Sequence, residues 1–165
     1  CRALRNENIQ CPIDVHLMTE NSENYIDEFA QAGATSLCFH IETVANPEET
    51  LMAIRTSNMQ SGIALNPHES PELLLPYLQL CDRILIMSVV PGKAGQPFMP
   101  SCLEKIAFLS EHWSHHPDRT ISVDGGINDK TAPLVIQAGA TELVSGSYIF
   151  NHTDRREAIR SLQNT

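Results

Sequence analysis

Six short apolar runs alternate with six amphipathic stretches along this 165-residue chain, which predicts an α/β fold with a parallel sheet and right-handed crossovers. A second observation narrows the class. Asp124 ends an apolar run directly before Gly125-Gly126, and about twenty residues later Leu143-Val144-Ser145 runs into Gly146-Ser147. Two glycine turns at consecutive strand ends are the phosphate clamp expected of the last two strands of a TIM (β/α)8 barrel. About six βα units, strands 3 to 8, are then present, and residues 1–165 read as a single partial barrel domain lacking the first two βα units. The opening Cys1-Arg2-Ala3-Leu4-Arg5-Asn6, which has no Met and reads as a helix end, carries the same expectation.

Local signals place each element in turn. Pro12 to Met18 reads as a strand, and Ser22 to Ala32 as a helix capped by Asn21 or Ser22 and ended by Gly33. Ser36 to His40 is the next strand. Pro47 sits at the first turn of a helix running to Thr56. Ser61 to Leu65 is a strand stopped by Asn66-Pro67, and Ser70 to Leu78 a helix. Arg83 to Val89 is a strongly apolar strand, followed by a Pro- and Gly-rich loop from Val90 to Pro100 and a helix from Ser101 to about Trp113. Thr120 to Asp124 is a strand. Asp129 to Ala138 is a helix ended by Gly139, Thr141 to Ser145 the last strand, and Thr153 to Leu162 the closing helix.

Composition excludes some partners. A formal charge of −9 gives no broad basic surface for nucleic acid, so an anionic ligand has to be held by local groups. No apolar run approaches the length of a membrane span, which predicts a cytoplasmic protein with no membrane partner. Five widely spaced cysteines without a CxxC pair predict reduced thiols, mostly in the core. A six-unit sheet also exposes an edge strand, and such edges associate, so a homo-oligomer is expected.

Strand alternation then sorts the chemistry. In Asp14-Val15-His16-Leu17-Met18, Val15 and Leu17 face the helices, which turns His16 and Met18 toward the barrel interior. The same alternation sends Val123 outward and Asp124 inward. A histidine and an aspartate at strand ends can share a metal ion, yet two ligands alone do not make a site. Each residue also has a plainer role. His16 reads equally as a hydrogen-bonded core residue, Asp124 as a helix N-cap, Gly125-Gly126 as an ordinary turn, and Met18 and Met87 as core fillers. His112, His115 and His116 read as a solvated helix end, Asn66-Pro67 as a strand stop, and Glu48 and Glu49 as helix-start charges.

Taken in order, Asp14-Val15-His16-Leu17-Met18, Phe39-His40-Ile41-Glu42, Leu65-Asn66-Pro67, the run from Met87 to Phe98, Val123-Asp124-Gly125-Gly126-Ile127 and Gly146-Ser147-Tyr148-Ile149-Phe150 resemble the ribulose-phosphate 3-epimerase family. Ala94-Gly95-Gln96-Pro97-Phe98 and Phe150-Asn151-His152 are similar to the branch acting on D-allulose 6-phosphate. The resemblance implies an isomerase of carbohydrate and pentose phosphate metabolism that epimerises C3 of a ketose phosphate through an enediolate by two-base proton transfer. One divalent metal (Zn, Mn, Fe or Co) stabilises the enediolate charge. It makes Asp124 an acid/base and a metal ligand, His16 a second ligand, and Met18 and Met87 soft walls beside the enediolate. It gives phosphate contacts to Gly92, Lys93, Ala94 and Gly95, to Gly125 and Gly126, and to Gly146 and Ser147.

Three departures from the family pattern qualify this. The strands bearing its Ser, a further His and the second catalytic Asp are not in this sequence, so this chain alone is expected to lack the second acid/base. Lys93 stands in the loop where the family has an apolar element, and the proline common after the histidine at position 40 is replaced by Ile41. An alternative from another class is a catalytically inactive barrel that binds sugar phosphate. A related decarboxylase or synthase is disfavoured, since Asp14-Val15-His16 has His where such sites carry Lys.

Overall fold

A computed structural model describes residues 1–93, 95–113 and 119–165. Ala94, His115 and His116 lie outside the described residues. Six strands follow one another in the order β1-β2-β3-β4-β5-β6, namely β1 Asp14–Leu17, β2 Ser36–His40, β3 Gln60–Leu65, β4 Arg83–Met87, β5 Thr120–Asp124 and β6 Glu142–Val144. The helices are α1 Arg2–Asn6, α2 Ile26–Gln31, α3 Pro47–Thr56, α4 Cys102–Trp113, α5 Ala132–Gln137, α6 Ser147–Phe150 and α7 Arg155–Gln163. The βα alternation expected of the sequence is therefore present. The chain divides into two compact units, residues 1–64 with 76–84, and residues 65–75 with 85–165.

In the first unit, β1 pairs parallel with β2, and β2 with β3, in a register that sets His16 beside Cys38 and Cys38 beside Gly62. All five residues of β2 are buried, as an inner parallel strand requires. Gly62 is glycine for a local reason: a Cβ there would lie 2.9 Å from the Cβ of Cys38. Helix α3 begins as the sequence predicts, with Pro47 in its first turn and Asn46 Oδ1 accepting from the Glu49 N–H at 3.3 Å. It buries Thr50, Leu51 and Ile54, while Glu48 and Glu49 stay exposed in the first turn. At the amino end of β1, Ser36 Oγ donates to Asp14 Oδ1 at 2.5 Å, and Arg83 Nε faces the same oxygen at 3.5 Å.

In the second unit β5 pairs parallel with β6, and α4 buries Cys102, Ile106, Leu109 and Trp113 at helical spacing. The Lys105 ammonium on α4 donates to the carbonyls of Asn66 at 3.2 Å and Pro67 at 2.7 Å, and to that of Glu69. All three of its donors are used on the loop that follows β3. Burial lowers its pKa, so the carbonyls hold a partly desolvated cation. Lys105→Met, which keeps the stem and removes the donors, is expected to lose about 1–2 kcal/mol, or roughly 3–6 °C in melting temperature. A calorimetric scan of the two proteins measures this.

Three local expectations are corrected. The helix read over Ser70 to Leu78 is a 3-10 helix over Pro71–Tyr77, with Pro76 inside it. The stretch expected as one helix from Ser22 opens as 3-10 turns over Ser22–Tyr25, and Asn21 adopts φ 53° without capping it. Helix α5 runs over Ala132–Gln137 instead of starting at Asp129, and in the turn before it Asn128 Oδ1 accepts from the N–H groups of Lys130 and Thr131. All five cysteines are free, and Cys38, Cys81 and Cys102 are buried. Among the described residues, no helix is long and apolar enough to cross a membrane.

Candidate active site

The expected site residues fall in both units. In the first, alternation along β1 buries Val15 and Leu17 and leaves His16 on the opposite face, as expected. His16 reaches past its register partner Cys38 to His40, two residues further along β2. The two Nε2 atoms are 2.8 Å apart and the rings stack with centroids 4.9 Å apart. His40 is only 2% exposed, and its Nδ1 faces Glu42 Oε1 at 3.4 Å.

A contact between two imidazole nitrogens needs one donor and one acceptor, so a second proton would set two N–H groups against each other. Burial, reinforced by His40 and opposed by Asp14, holds the His16 pKa down to about 4. His16 is therefore neutral near pH 7, with the lone pair that metal ligation requires. The sign of its effect on stability follows. Between its ordinary 6.5 and about 4 the unfolded chain binds a proton that the folded chain refuses. The metal-free protein is expected to lose stability as pH falls through that window, by up to about 3 kcal/mol. Chemical denaturation at pH 7 and pH 4.5 in chelator measures it, and His16→Gln should flatten the dependence. Met18, after β1, is 52% exposed.

In the second unit the turn after β5 is built by exclusion of side chains. Gly125 has φ 123° and Gly126 φ 64°, backbone conformations that suit glycine. A Cβ on Gly125 would lie 2.5 Å from a methyl of Val89, and one on Gly126 would lie 2.7 Å from the Phe98 nitrogen. Val123 is fully buried, and Asp124 is half-buried on the other face. Burial raises the Asp124 pKa, which brings the carboxyl closer to the range where it can both take and return a proton. The plainer reading of Asp124 as an N-cap is not realised, since the residue preceding α5 is Thr131.

The same turn is held by residues that neither motif nor alternation singles out. Ser88, completely buried after β4, donates through Oγ to the carbonyls of Gly125 at 2.6 Å and Asp124 at 3.0 Å. Thr131 Oγ1 donates to the Gly126 carbonyl at 2.9 Å, joined by Asn128 Nδ2 at 3.2 Å, and Ser145 Oγ donates to Ile127 O at 2.9 Å. The available signal was a lone serine extending the most apolar strand in the chain.

Of the other expected contacts, Gly146 and Ser147 form the exposed start of the short helix α6, and Gly92, Lys93 and Gly95 are exposed in the loop after β4. Gln96 Nε2 closes that loop by donating to the carbonyls of Val90 at 2.6 Å and Lys93 at 2.8 Å. Met87 is 1% exposed, as the core reading expects. His112 is exposed and stacks on Phe108, which suits a solvated helix end. Among the described residues, no three His, Cys, Asp or Glu side chains gather closely enough to hold a metal ion.

Strands in sequence order separated by helices, with a carboxylate and a diglycine turn at the carboxyl end of one strand, define a protein of the (β/α)8 barrel class. Within that class the chain belongs to the ribulose-phosphate 3-epimerase family, whose sequence profile matches residues 1–150. It is 40% identical over 152 residues to a ribulose-phosphate 3-epimerase of Schizosaccharomyces pombe, covering 92% of this chain and 65% of that relative. The corresponding protein of Bacillus subtilis is 40% identical over 154 residues, 92% of this chain and 71% of the relative. That of Rhodospirillum rubrum is 42% identical over 163 residues, 99% and 71%. The chain thus spans about two thirds of the length of these relatives.

Solved structures agree on the fold. KGPDC from Streptococcus mutans in complex with D-R5P superposes with a TM-score of 0.77 at 15% identity, covering 99% of this chain and 76% of that one. A 3-hexulose-6-phosphate synthase from Salmonella typhimurium gives 0.71 at 14% identity, covering 99% and 76%.

Proposed function

We propose that this chain carries the C3 epimerisation of a ketose phosphate, with D-ribulose 5-phosphate as the substrate and D-allulose 6-phosphate as the alternative to be tested. The observation that carries this reading is Asp124: a carboxyl with a raised pKa at a strand's carboxyl end, followed at once by two glycines in backbone conformations that let N–H groups approach a phosphate. Membership of the family and the names of the relatives support it.

In this reading Asp124 exchanges the proton at C3, and its raised pKa suits a group that must hold the proton in one half-reaction and release it in the other. The donor chemistry fits a divalent metal, because His16 is held neutral and offers a ring nitrogen while Asp124 offers oxygen. Each is a donor that such an ion (Zn, Mn, Fe or Co) accepts, and when bound the ion would supply Lewis-acid stabilisation of charge on the sugar oxygens. Gly125 and Gly126, with Gly146 and Ser147 and the loop from Gly92 to Gly95, take the phosphate. A cytoplasmic homo-oligomer without nucleic-acid or membrane partners completes the reading.

The test is proton exchange. The protein is incubated in deuterated water with D-ribulose 5-phosphate or D-allulose 6-phosphate and each metal in turn, and C3 is followed by NMR. Deuterium at C3 is the expected result for the pentulose phosphate, since Asp124 alone can exchange that proton, while formation of the epimer calls for the second acid/base as well. Tight binding of the sugar phosphate with no exchange under any metal would replace the enzyme by the inactive sugar-phosphate-binding barrel.

A further inference from the structure

We propose that Ser88 and Thr131 are positioning residues for the phosphate-binding peptides of the Asp124-Gly125-Gly126 turn. The inference rests on the sugar-phosphate reading above and adds what aims those peptides.

In a trans peptide the carbonyl of one residue and the N–H of the next point in opposite directions, and the chain has no cis bond among the described residues. Fixing a carbonyl therefore fixes the following N–H. Ser88 Oγ draws the Gly125 carbonyl to 2.6 Å, which turns the Gly126 N–H the other way. Thr131 Oγ1 and Asn128 Nδ2 draw the Gly126 carbonyl, which turns the Ile127 N–H away from them. Ser145 fixes the next carbonyl, but the N–H it orients, that of Asn128, is taken by Thr131 Oγ1 at 2.9 Å. The run of aimed N–H groups accordingly stops at Ile127.

Glycines are the least able to hold such an arrangement by themselves, because without a Cβ their peptides rotate freely. Gly125 and Gly126 have the shape an anion needs and lack the stiffness. Hydroxyl groups from β4's end and from the residue before α5 supply it, and both sit on the side opposite the N–H groups they orient. Ser88 also accounts for a polar atom in a fully buried position, where a serine with no such duty would be replaced by alanine at little loss.

The prediction separates phosphate recognition from folding. Binding of D-ribulose 5-phosphate and of unphosphorylated D-ribulose is measured by calorimetry for the protein and for Ser88→Ala, Thr131→Val and Thr131→Ser. The ratio of the two dissociation constants is the phosphate preference. It should fall about tenfold in Ser88→Ala and Thr131→Val, where an orienting hydrogen bond is lost, and stay within about twofold in Thr131→Ser, which keeps the hydroxyl. Affinity for the unphosphorylated sugar should hold steady, a separation that general loosening of the fold would not give. If Ser88→Ala fails to fold, the isosteric Thr131→Val and its Thr131→Ser control decide alone. A folded Thr131→Val that keeps the full preference overturns the positioning role while leaving the sugar-phosphate reading intact. An unaltered protein with no phosphate preference overturns that reading, and the positioning role with it.

Discussion

Asp124→Asn is expected to leave a folded protein in which exchange of the C3 proton is slowed by at least about 100-fold and up to about 10,000-fold, the range a positioned acid/base supplies. The amide matches the carboxyl in shape, cannot carry a proton between two states, and is a far poorer metal ligand. Stability should move the other way. Burial raises the Asp124 pKa, so above its ordinary value the ionised form is less favourable in the folded chain than in the unfolded one. Removing the charge at pH 7 relieves that penalty, and the melting temperature should hold or rise. Loss of activity without loss of stability marks a residue kept for chemistry at the expense of the fold. NMR exchange in deuterated water and a thermal scan on one preparation give both numbers, and exchange near the unaltered rate would remove Asp124 from the reaction.

The legible parts of the chain are those with local causes. β2 over Ser36–His40, α3 over Pro47–Thr56 and β5 over Thr120–Asp124 stand at the bounds the sequence predicts, because Pro47, Asn46 and Gly125 are punctuation that acts within one or two residues. Bounds shift where the turn ahead of a helix is held by side chains, as where Asn128 Oδ1 accepts from the N–H groups of Lys130 and Thr131 before α5. In the site, alternation was enough to place His16 and Asp124 opposite buried neighbours. Ser88 was not legible as part of the site, for its partners lie 36 and 37 residues away and its duty depends on where β4 ends beside the turn. The His16 and His40 contact is similar: strands have to pair before a residue on one can reach two positions along the other.

Gly125→Ala should be strongly destabilising. Gly125 has φ 123°, a conformation that strains any residue with a Cβ by about 1–3 kcal/mol. The new methyl would also meet Val89 at three atoms, 2.5 Å and 2.8 Å from its methyl carbons and 2.9 Å from its backbone nitrogen. The side chain can rotate away, but the nitrogen belongs to the main chain next to Ser88, whose hydroxyl is bonded to this same turn. Relief therefore means moving the turn, so strain and overpacking add to roughly 3–5 kcal/mol, with phosphate affinity falling alongside. Gly146→Ala is the internal comparison. Gly146 has φ −100°, and a Cβ added there would meet no atom within 4 Å. Alanine at that position should change stability by less than about 1 kcal/mol and can gain from a less flexible unfolded chain. Urea midpoints for the two variants test the argument as a difference. Equal shifts would mean that Val89 and the backbone conformation do not make Gly125 a glycine, and that the turn yields where the Ser88 bonds require it to be held.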